Sequence, residues 1–331
     1  MGVRGYGFTG YGFWLLLVWL IPAAAHARWF EQTQPIMGTR VYVQLWHEDA
    51  ARAEALINQV MAEMERINQL MSPYLEHSQL ARVNREAAQQ PVAVSPELFE
   101  LIATANRFSA LSDGAFDITF ASLGHRFNYR KGVRPSPQQA KTARELIDYR
   151  QLQLNPDRHT VGFARAGMRI DLGGIAKGHA VDRGIDLLRR AGVKHAIITA
   201  GGDSRLLGDH RGRPWILGIK HPRGESSVMK LPLENVAIST SGDYERYFEV
   251  DGVRYHHIID PASGDSARGL ISVSILAPRS LEADALSTTV FVLGAEQGLK
   301  LINGMPGISA ILIDHNGQIT YSNDLVDPSA P

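Results

Sequence analysis

The sequence predicts an α+β fold with largely antiparallel sheets, on three observations. Helical periodicity is concentrated early, strand-like runs are concentrated late, and several of those runs are joined by short turns rather than by crossover helices. The clearest helix is ARAEALINQVMAEMERINQLMS, where Leu56, Ile57, Val60, Met61, Met64, Ile67, Leu70 and Met71 recur at three- and four-residue intervals. This spacing makes the methionines a core stripe. A second helix starts at Ser95-Pro96, a cap followed by proline at the first helical position, and turns Leu98, Leu101, Ile102, Ala105 and Phe108 inward. A third covers 176–191 and stops at Gly192. Strands are expected at VYVQL (41–45), HAIIT (195–199), WILGI (215–219), VAIST (236–240), RYFEV (246–250), ISVSIL (271–276) and ISAILI (308–313). The last leads through His315-Asn316-Gly317 into QITYS, an Asn-Gly hairpin. RKGVRPSPQQ (130–139) reads as a surface loop, from its proline and charge.

Residues 1–27 read as a cleaved signal peptide. A weakly positive start at Arg4 precedes the apolar run FWLLLVWLIPAAA, too short and Pro-broken to span a bilayer comfortably, and Ala25-His26-Ala27 supplies a small-x-small cleavage pattern. An uncleaved membrane anchor is the alternative. The sequence has no cysteine, which excludes disulfides, a thiolate metal site, a cysteine nucleophile and a lipid-bearing cysteine after the signal. The expected location is the periplasm, free of a lipid anchor. Lys plus Arg and Asp plus Glu stand at 34 each, so no global field favours nucleic acid or an anionic membrane surface. Residues 28–331 have ample length for one domain or for two lobes around a cleft.

Four segments carry candidate chemistry. In DLGGIAKGHAVD (171–182), an acid closes an apparent strand, two glycines allow close backbone approach, and Lys177 sits at a helix start, a combination suited to a phosphate. The Gly and Lys spacing is not that of a P-loop, and pattern alone leaves a plain Gly-rich turn open. SDGAFDIT (112–119) reads alone as a helix end closed by Gly114. RYHHIIDPASG (254–264) puts paired histidines on a strand before an Asp260-Pro261 turn, an arrangement able to supply a base and an acid that orients it. LEADALSTTV (281–290) is an apolar helix carrying Asp284 and Thr288 four residues apart, hence on one face, with Ser287 beside them. A buried carboxylate without partners is expensive, whereas a hard cation such as Mg²⁺ takes one or two carboxylates plus hydroxyl and carbonyl oxygens. Thr288 bonded back to its own turn is the structural alternative.

Taken in order, these segments, with Met37-Gly38-Thr39, SPYLEHSQLARVN (72–84), TAGGD (199–203) and STSGDYERYF (239–248), resemble the ApbE family of FAD:protein FMN transferases over nearly all of 28–331. The resemblance implies a T-fold-related architecture with two lobes around an FAD cleft. It also implies Mg²⁺-dependent transfer of the FMN moiety of FAD to a threonine or serine hydroxyl of a target protein, with AMP leaving. Residue by residue, it implies FAD contacts at Met37, Tyr74, Ala115, Phe116, Asp117, Asp171, Lys177 and Ile259. It further implies metal contacts at Gly174 (through its carbonyl), Asp284 and Thr288, with Ser287 where some relatives carry a further acid, and a catalytic base at His257. The implied acceptors are exported or membrane-bound electron-transport subunits with a Ser/Thr motif. His179, in place of a frequent aromatic, and Phe120-Ala121-Ser122-Leu123 depart from the family pattern. An FAD pyrophosphatase and a non-catalytic flavin-binding protein are the competing readings of the same motifs.

Overall fold

The computed structural model describes residues 1–2, 28–224 and 226–326, so the expected signal peptide lies mostly outside the described residues. Its central feature is an eight-stranded sheet in which every neighbouring pair is antiparallel. The strands, in chain order, are β1 (Arg28–Ile36), β2 (Thr39–His47), β3 (Ala196–Ala200), β4 (Asp203–Leu207), β5 (Ala237–Gly242), β8 (Leu270–Ala277), β9 (Ser309–Asp314) and β10 (Ile319–Tyr321). They lie side by side in that order. A separate hairpin, β6 (Tyr247–Val250) and β7 (Val253–His256), projects between β5 and β8 in sequence. Among the described residues no helix is long and apolar enough to cross a membrane.

The sheet is covered on both faces. On one face lie α1 (Ala50–Met71), α3 (Ala176–Arg190) and α4 (Ser280–Asn303), while α2 (Pro96–Leu111) extends the same core. On the other, the hairpin of Trp215–Lys220 and Ser227–Leu233 buries Trp215 and Ile219 against Ile197, Leu206, Ile238, Leu276 and Ile311. Successive strand residues point to opposite faces, so a sheet covered on both sides needs continuous apolarity rather than alternation. β8 is accordingly buried at all of its positions.

The expected start at Ser95 holds, its side chain accepting from Leu98 N, and Asp49, which the sequence reading did not name, caps α1 by accepting from Arg52 N. Several local expectations change. Met37-Gly38 does not precede the first strand but forms the two-residue turn from β1 to β2, with φ of 55° and 69°, the signature of a primed hairpin turn. β1 escaped the pattern because RWFEQTQPI carries Pro35 and few apolar residues; it is a sheet edge, where proline is tolerated. β4 was not anticipated either. Residues 168–172 are not a strand: Ile170 bonds at both its N–H and its carbonyl to the side chain of Asn84, and Arg169 N–H donates to Ser122 Oγ. Side chains replace the ladder there. The 130–139 loop ends at Ser136, which caps a helix over Pro137–Arg144 in a full capping box with Gln139. His256 closes β7, and His257 stands in the bend after it. The Asn316-Gly317 connection is a four-residue link, His315 to Gln318, in which only Gly317 takes positive φ (81°).

Candidate active site

The α3 and α4 helices meet at Gly178. A Cβ there would fall inside contact distance of the Ser280 carbonyl and 2.8 Å from Asp284 Cβ, so only glycine permits the approach. A second device fixes the start of α4. Asp182, fully buried one turn along α3, accepts from Ser280 N (2.9 Å) and Leu281 N (3.1 Å) and pairs with Arg205 Nη1 at 2.7 Å. The free amides at a helix start are thereby satisfied by a neighbouring helix rather than by a local cap. Asp284 sits within the first turns of α4 as a result.

Around Asp284 lies a buried charge cluster. Its carboxylate accepts from Gly178 N at 2.9 Å and from Lys177 Nζ at 3.3 and 3.4 Å. Lys177 Nζ also stands 2.7 Å from Asp203 Oδ2, a charge contact rather than a directed hydrogen bond, and 3.2 Å from the Gly173 carbonyl. Asp203 in turn accepts from Ser239 Oγ. Burial pulls the Lys177 ammonium down, but Asp203 and Asp284 outweigh it together and hold it well above its ordinary value. Asp284 is pushed up to about 7, first by burial and then by the negative charge of Asp203, against the pull of Lys177 and the Gly178 amide. Two carboxylates face one ammonium. With Asp284 ionised the cluster therefore carries one surplus negative charge largely away from water, a condition that favours a further cation.

Oxygens suited to that cation lie beside it. Gly178 N–H goes to Asp284, and no other backbone or side-chain donor meets the Gly174 carbonyl among the described residues. A Cβ on Gly174 would lie 3.2 Å from Thr288 Oγ1 and 3.2 Å from the Phe116 ring, so backbone and hydroxyl are in close approach with Phe116 behind. Thr288 is not bonded back to its own turn; Thr289 is, to Ala285 O at 2.7 Å. Among the described residues the Thr288 hydroxyl has only Ser241 Oγ, at 3.4 Å. Ser287 is more heavily committed, donating to Asp284 O (2.9 Å) with Ser241 Oγ at 2.8 Å and Ser239 Oγ at 3.2 Å. Asp284, Thr288 and the Gly174 carbonyl thus fit a hard cation by donor type, and Ser287 fits a supporting position.

The remaining residues fall on either side of this cluster. His257 N–H donates to Arg246 O at 3.1 Å, and its ring Nδ1 is buried with no partner among the described residues. Its pKa is lowered to about 3, chiefly by burial and then by the cations Arg246 and Lys177, with His256 adding to the effect. Asp260 does not orient either histidine: it accepts from Ala262 N and Ser263 N in its own turn. Tyr74 offers its ring to solvent at 81% exposure, and Asp171 accepts from Gly173 N at 2.7 Å, holding the glycine turn. Met37, in its left-handed turn, packs partly buried against the main core. Ala115 lies half-buried in the turn that follows α2. Asp117 and Ile259 are scaffold-like. Asp117 accepts from Thr119 N, Thr119 Oγ1 and Tyr149 N, while Ile259 packs with Leu123 and Ala143. His179 points elsewhere, to Glu97 at 2.9 Å. Asp203, Ser239, Ser241 and Arg246 were not singled out from the sequence. Asp203 lies between two glycines and Ser204-Arg205, so no apolar run marks it.

Residues 37–312 match the ApbE family. The chain belongs to that family. Among its relatives, the FAD:protein FMN transferase of Treponema pallidum is 34% identical over 323 residues, covering 92% of this chain and 89% of the relative. That of Klebsiella pneumoniae is 32% identical over 301 residues, covering 89% and 92%. Among solved structures, the ApbE protein of Thermotoga maritima superposes with a TM-score of 0.84 at 35% identity, covering 90% of this chain and 98% of that one. The flavin transferase ApbE of Vibrio cholerae gives 0.82 at 29%, covering 91% and 99%. The antiparallel α+β architecture is that of the ApbE structures.

Proposed function

We infer that this protein is an FAD:protein FMN transferase that moves FMN from FAD to a threonine or serine hydroxyl of an acceptor protein and releases AMP, with Mg²⁺ required. The observation that carries this reading is the buried acid pair Asp203 and Asp284 around the single ammonium of Lys177, set against the unbonded Gly174 carbonyl and the weakly engaged Thr288 hydroxyl. A storage protein gains nothing from such a frustrated cluster. Asp284, Thr288 and the Gly174 carbonyl would hold Mg²⁺, which would supply Lewis-acid neutralisation of phosphate charge. Lys177, fixed between two acids, keeps a full positive charge for the phosphate region. The acceptor oxygen bonds to the FMN phosphorus as the P–O bond to AMP breaks, and the hydroxyl proton passes to His257.

His257 is neutral in the resting site, so it is in the form a base requires. A bound pyrophosphate places negative charge beside Arg246 and Lys177, offsetting two causes of its depression and raising its basicity. Transfer by His257→Ala is expected to fall about 10²–10⁴-fold while FAD affinity is retained. Stopped assays of acceptor labelling, paired with an FAD titration, check this; lost FAD binding would make His257 a positioning residue instead.

The metal assignment carries a pH signature. Since Asp284 is raised to about 7, its carboxyl gains a proton as pH falls below that value. Mg²⁺ affinity of the free enzyme, measured calorimetrically, is expected to weaken by up to roughly tenfold per pH unit below 7 and to level off above it. An affinity flat from pH 5.5 to 8 would contradict Asp284 as ligand.

The overall reading is tested by incubating the protein with FAD, Mg²⁺ and a threonine-containing acceptor domain and weighing the acceptor. A gain of one FMN supports transfer; FMN and AMP released with an unchanged acceptor supports hydrolysis; intact FAD supports storage. Periplasmic location and freedom from a lipid anchor, as the leader and the absence of cysteine suggest, fit exported acceptors.

A further inference from the structure

The segment 118–144 holds six lysines and arginines and no acid. Arg126, Arg130, Lys131, Arg134, Lys141 and Arg144 are all exposed, and none is ion-paired to a carboxylate among the described residues, whose ion pairs lie elsewhere. In a chain whose charges balance overall, this is a local excess. It is also held in place. Tyr129 packs on Phe248 with ring centroids 6.0 Å apart, and Phe248 stacks on Tyr255 at 5.5 Å. The Arg134 guanidinium lies 4.6 Å above the Tyr255 ring and bonds its hydroxyl. At the other end Leu123 and Ala143 pack on Ile259, and the Arg144 side chain lies 3.4 Å from where Gly264 would carry a Cβ. The basic segment therefore wraps the stretch 255–264 that contains His257. Tyr255 stands two residues before His257, roughly 7 Å along an extended chain.

Three acids of the hairpin and of the stretch after it are already engaged. Asp265 pairs with Arg268 (3.7 Å), Glu249 with Arg254 (2.9 Å), and Asp260 serves its own turn amides. The six exposed cations are therefore open to an acidic ligand.

We propose that this basic collar around the β6–β7 hairpin docks an acidic stretch of the acceptor polypeptide, delivering its hydroxyl towards His257. The proposal rests on the transferase reading. Opposite charge on a rim speeds encounter and fixes orientation more than it adds affinity, so the collar is expected to govern acceptor use and not chemistry.

The test uses the full chain and its Arg126→Gln/Arg130→Gln/Lys131→Gln variant, with two labelled threonine peptides of equal length, one carrying four aspartates and the other asparagines at the same positions. Binding by anisotropy is expected to favour the acidic peptide at least tenfold at low salt, and the variant and added NaCl are each expected to remove about tenfold of it. The variant's FAD affinity and melting temperature stay unchanged, and its KM for the acidic peptide rises while kcat holds. Equal binding of the two peptides overturns the proposal, as does loss of FAD affinity, which would make the collar a nucleotide site. Binding to phosphatidylserine vesicles without preference between the peptides overturns it in favour of a membrane. Because binding is read apart from labelling, a bound but unlabelled acidic peptide counts against the transferase reading and leaves docking standing.

Discussion

Asp284→Asn is expected to lose Mg²⁺-dependent turnover by about 10²–10³-fold or more while melting no lower than the parent protein. The two halves of this result share one cause. Folding raises the Asp284 pKa to about 7 from an ordinary value near 3.8, so the folded state binds the proton more tightly than the unfolded state. Between those values stability contributed by this group is greatest at the acid end and is lost as pH rises towards 7. Above pH 7 the ionised carboxylate is carried at a cost, and asparagine removes it. The variant keeps an oxygen to accept Gly178 N–H, and Lys177 keeps Asp203 at 2.7 Å. What disappears is the surplus negative charge that recruits the cation. Function is thus expected to sit on a residue that does not stabilise the fold, the usual trade between activity and stability. Thermal melts at pH 8 with and without Mg²⁺ provide a readout besides turnover: the parent is stabilised by the metal, the variant is not. A variant that turns over at the parent rate under limiting Mg²⁺ would remove Asp284 from the metal site.

What the sequence made legible follows from how local each signal is. α1 could be read because its apolar positions recur at helical spacing, and every one but Leu70 is buried. Asp284 could be read because an acid in an apolar helix demands a partner. Asp203 gave no such signal, since Gly201-Gly202 precede it and Ser204-Arg205 follow, and its partners, Lys177 and Ser239, come from α3 and β5. The 168–172 segment looked like a strand since its residues are apolar and alternate; what denies it a ladder is a pair of side chains, Asn84 and Ser122, that no period can announce. Arg246 sits exposed before β6, with no pattern to mark it, and matters only through its nearness to His257. Long-range pairing decides the site; local pattern decides the elements.

Gly178→Ala is expected to damage the site more than the fold. Alanine is favoured over glycine in a helix interior by about 1 kcal/mol, so propensity alone predicts a gain. Against this, the added methyl would meet the backbone carbonyl of Ser280, which cannot rotate away, and Asp284 Cβ at 2.8 Å. Overpacking of that kind costs about 1–3 kcal/mol, occasionally more, and wins. The net loss lowers the melting temperature by only a few degrees in a domain of this size. The helices must part to accommodate the methyl, however, and the carboxylate moves with α4 away from Lys177 and the Gly174 carbonyl. A displacement of about 1 Å at a reacting centre is worth around 10²-fold in rate. Gly184→Ala is the matched control, on the same helix with the same propensity gain. Its methyl would meet Ile198 Cδ1 at 2.7 Å, a side-chain tip that can turn aside, and Val60 Cγ1 at 3.1 Å, which must give by only a few tenths of an ångström, and neither touches the charge cluster. Labelling rates and melting curves of the two variants side by side should separate: Gly184→Ala close to parent in rate, Gly178→Ala slowed about a hundredfold with a comparable melting temperature. Equal rates in both would mean that the close approach of α3 and α4 serves packing alone and that the position of Asp284 is set by Asp182 and its hold on the start of α4.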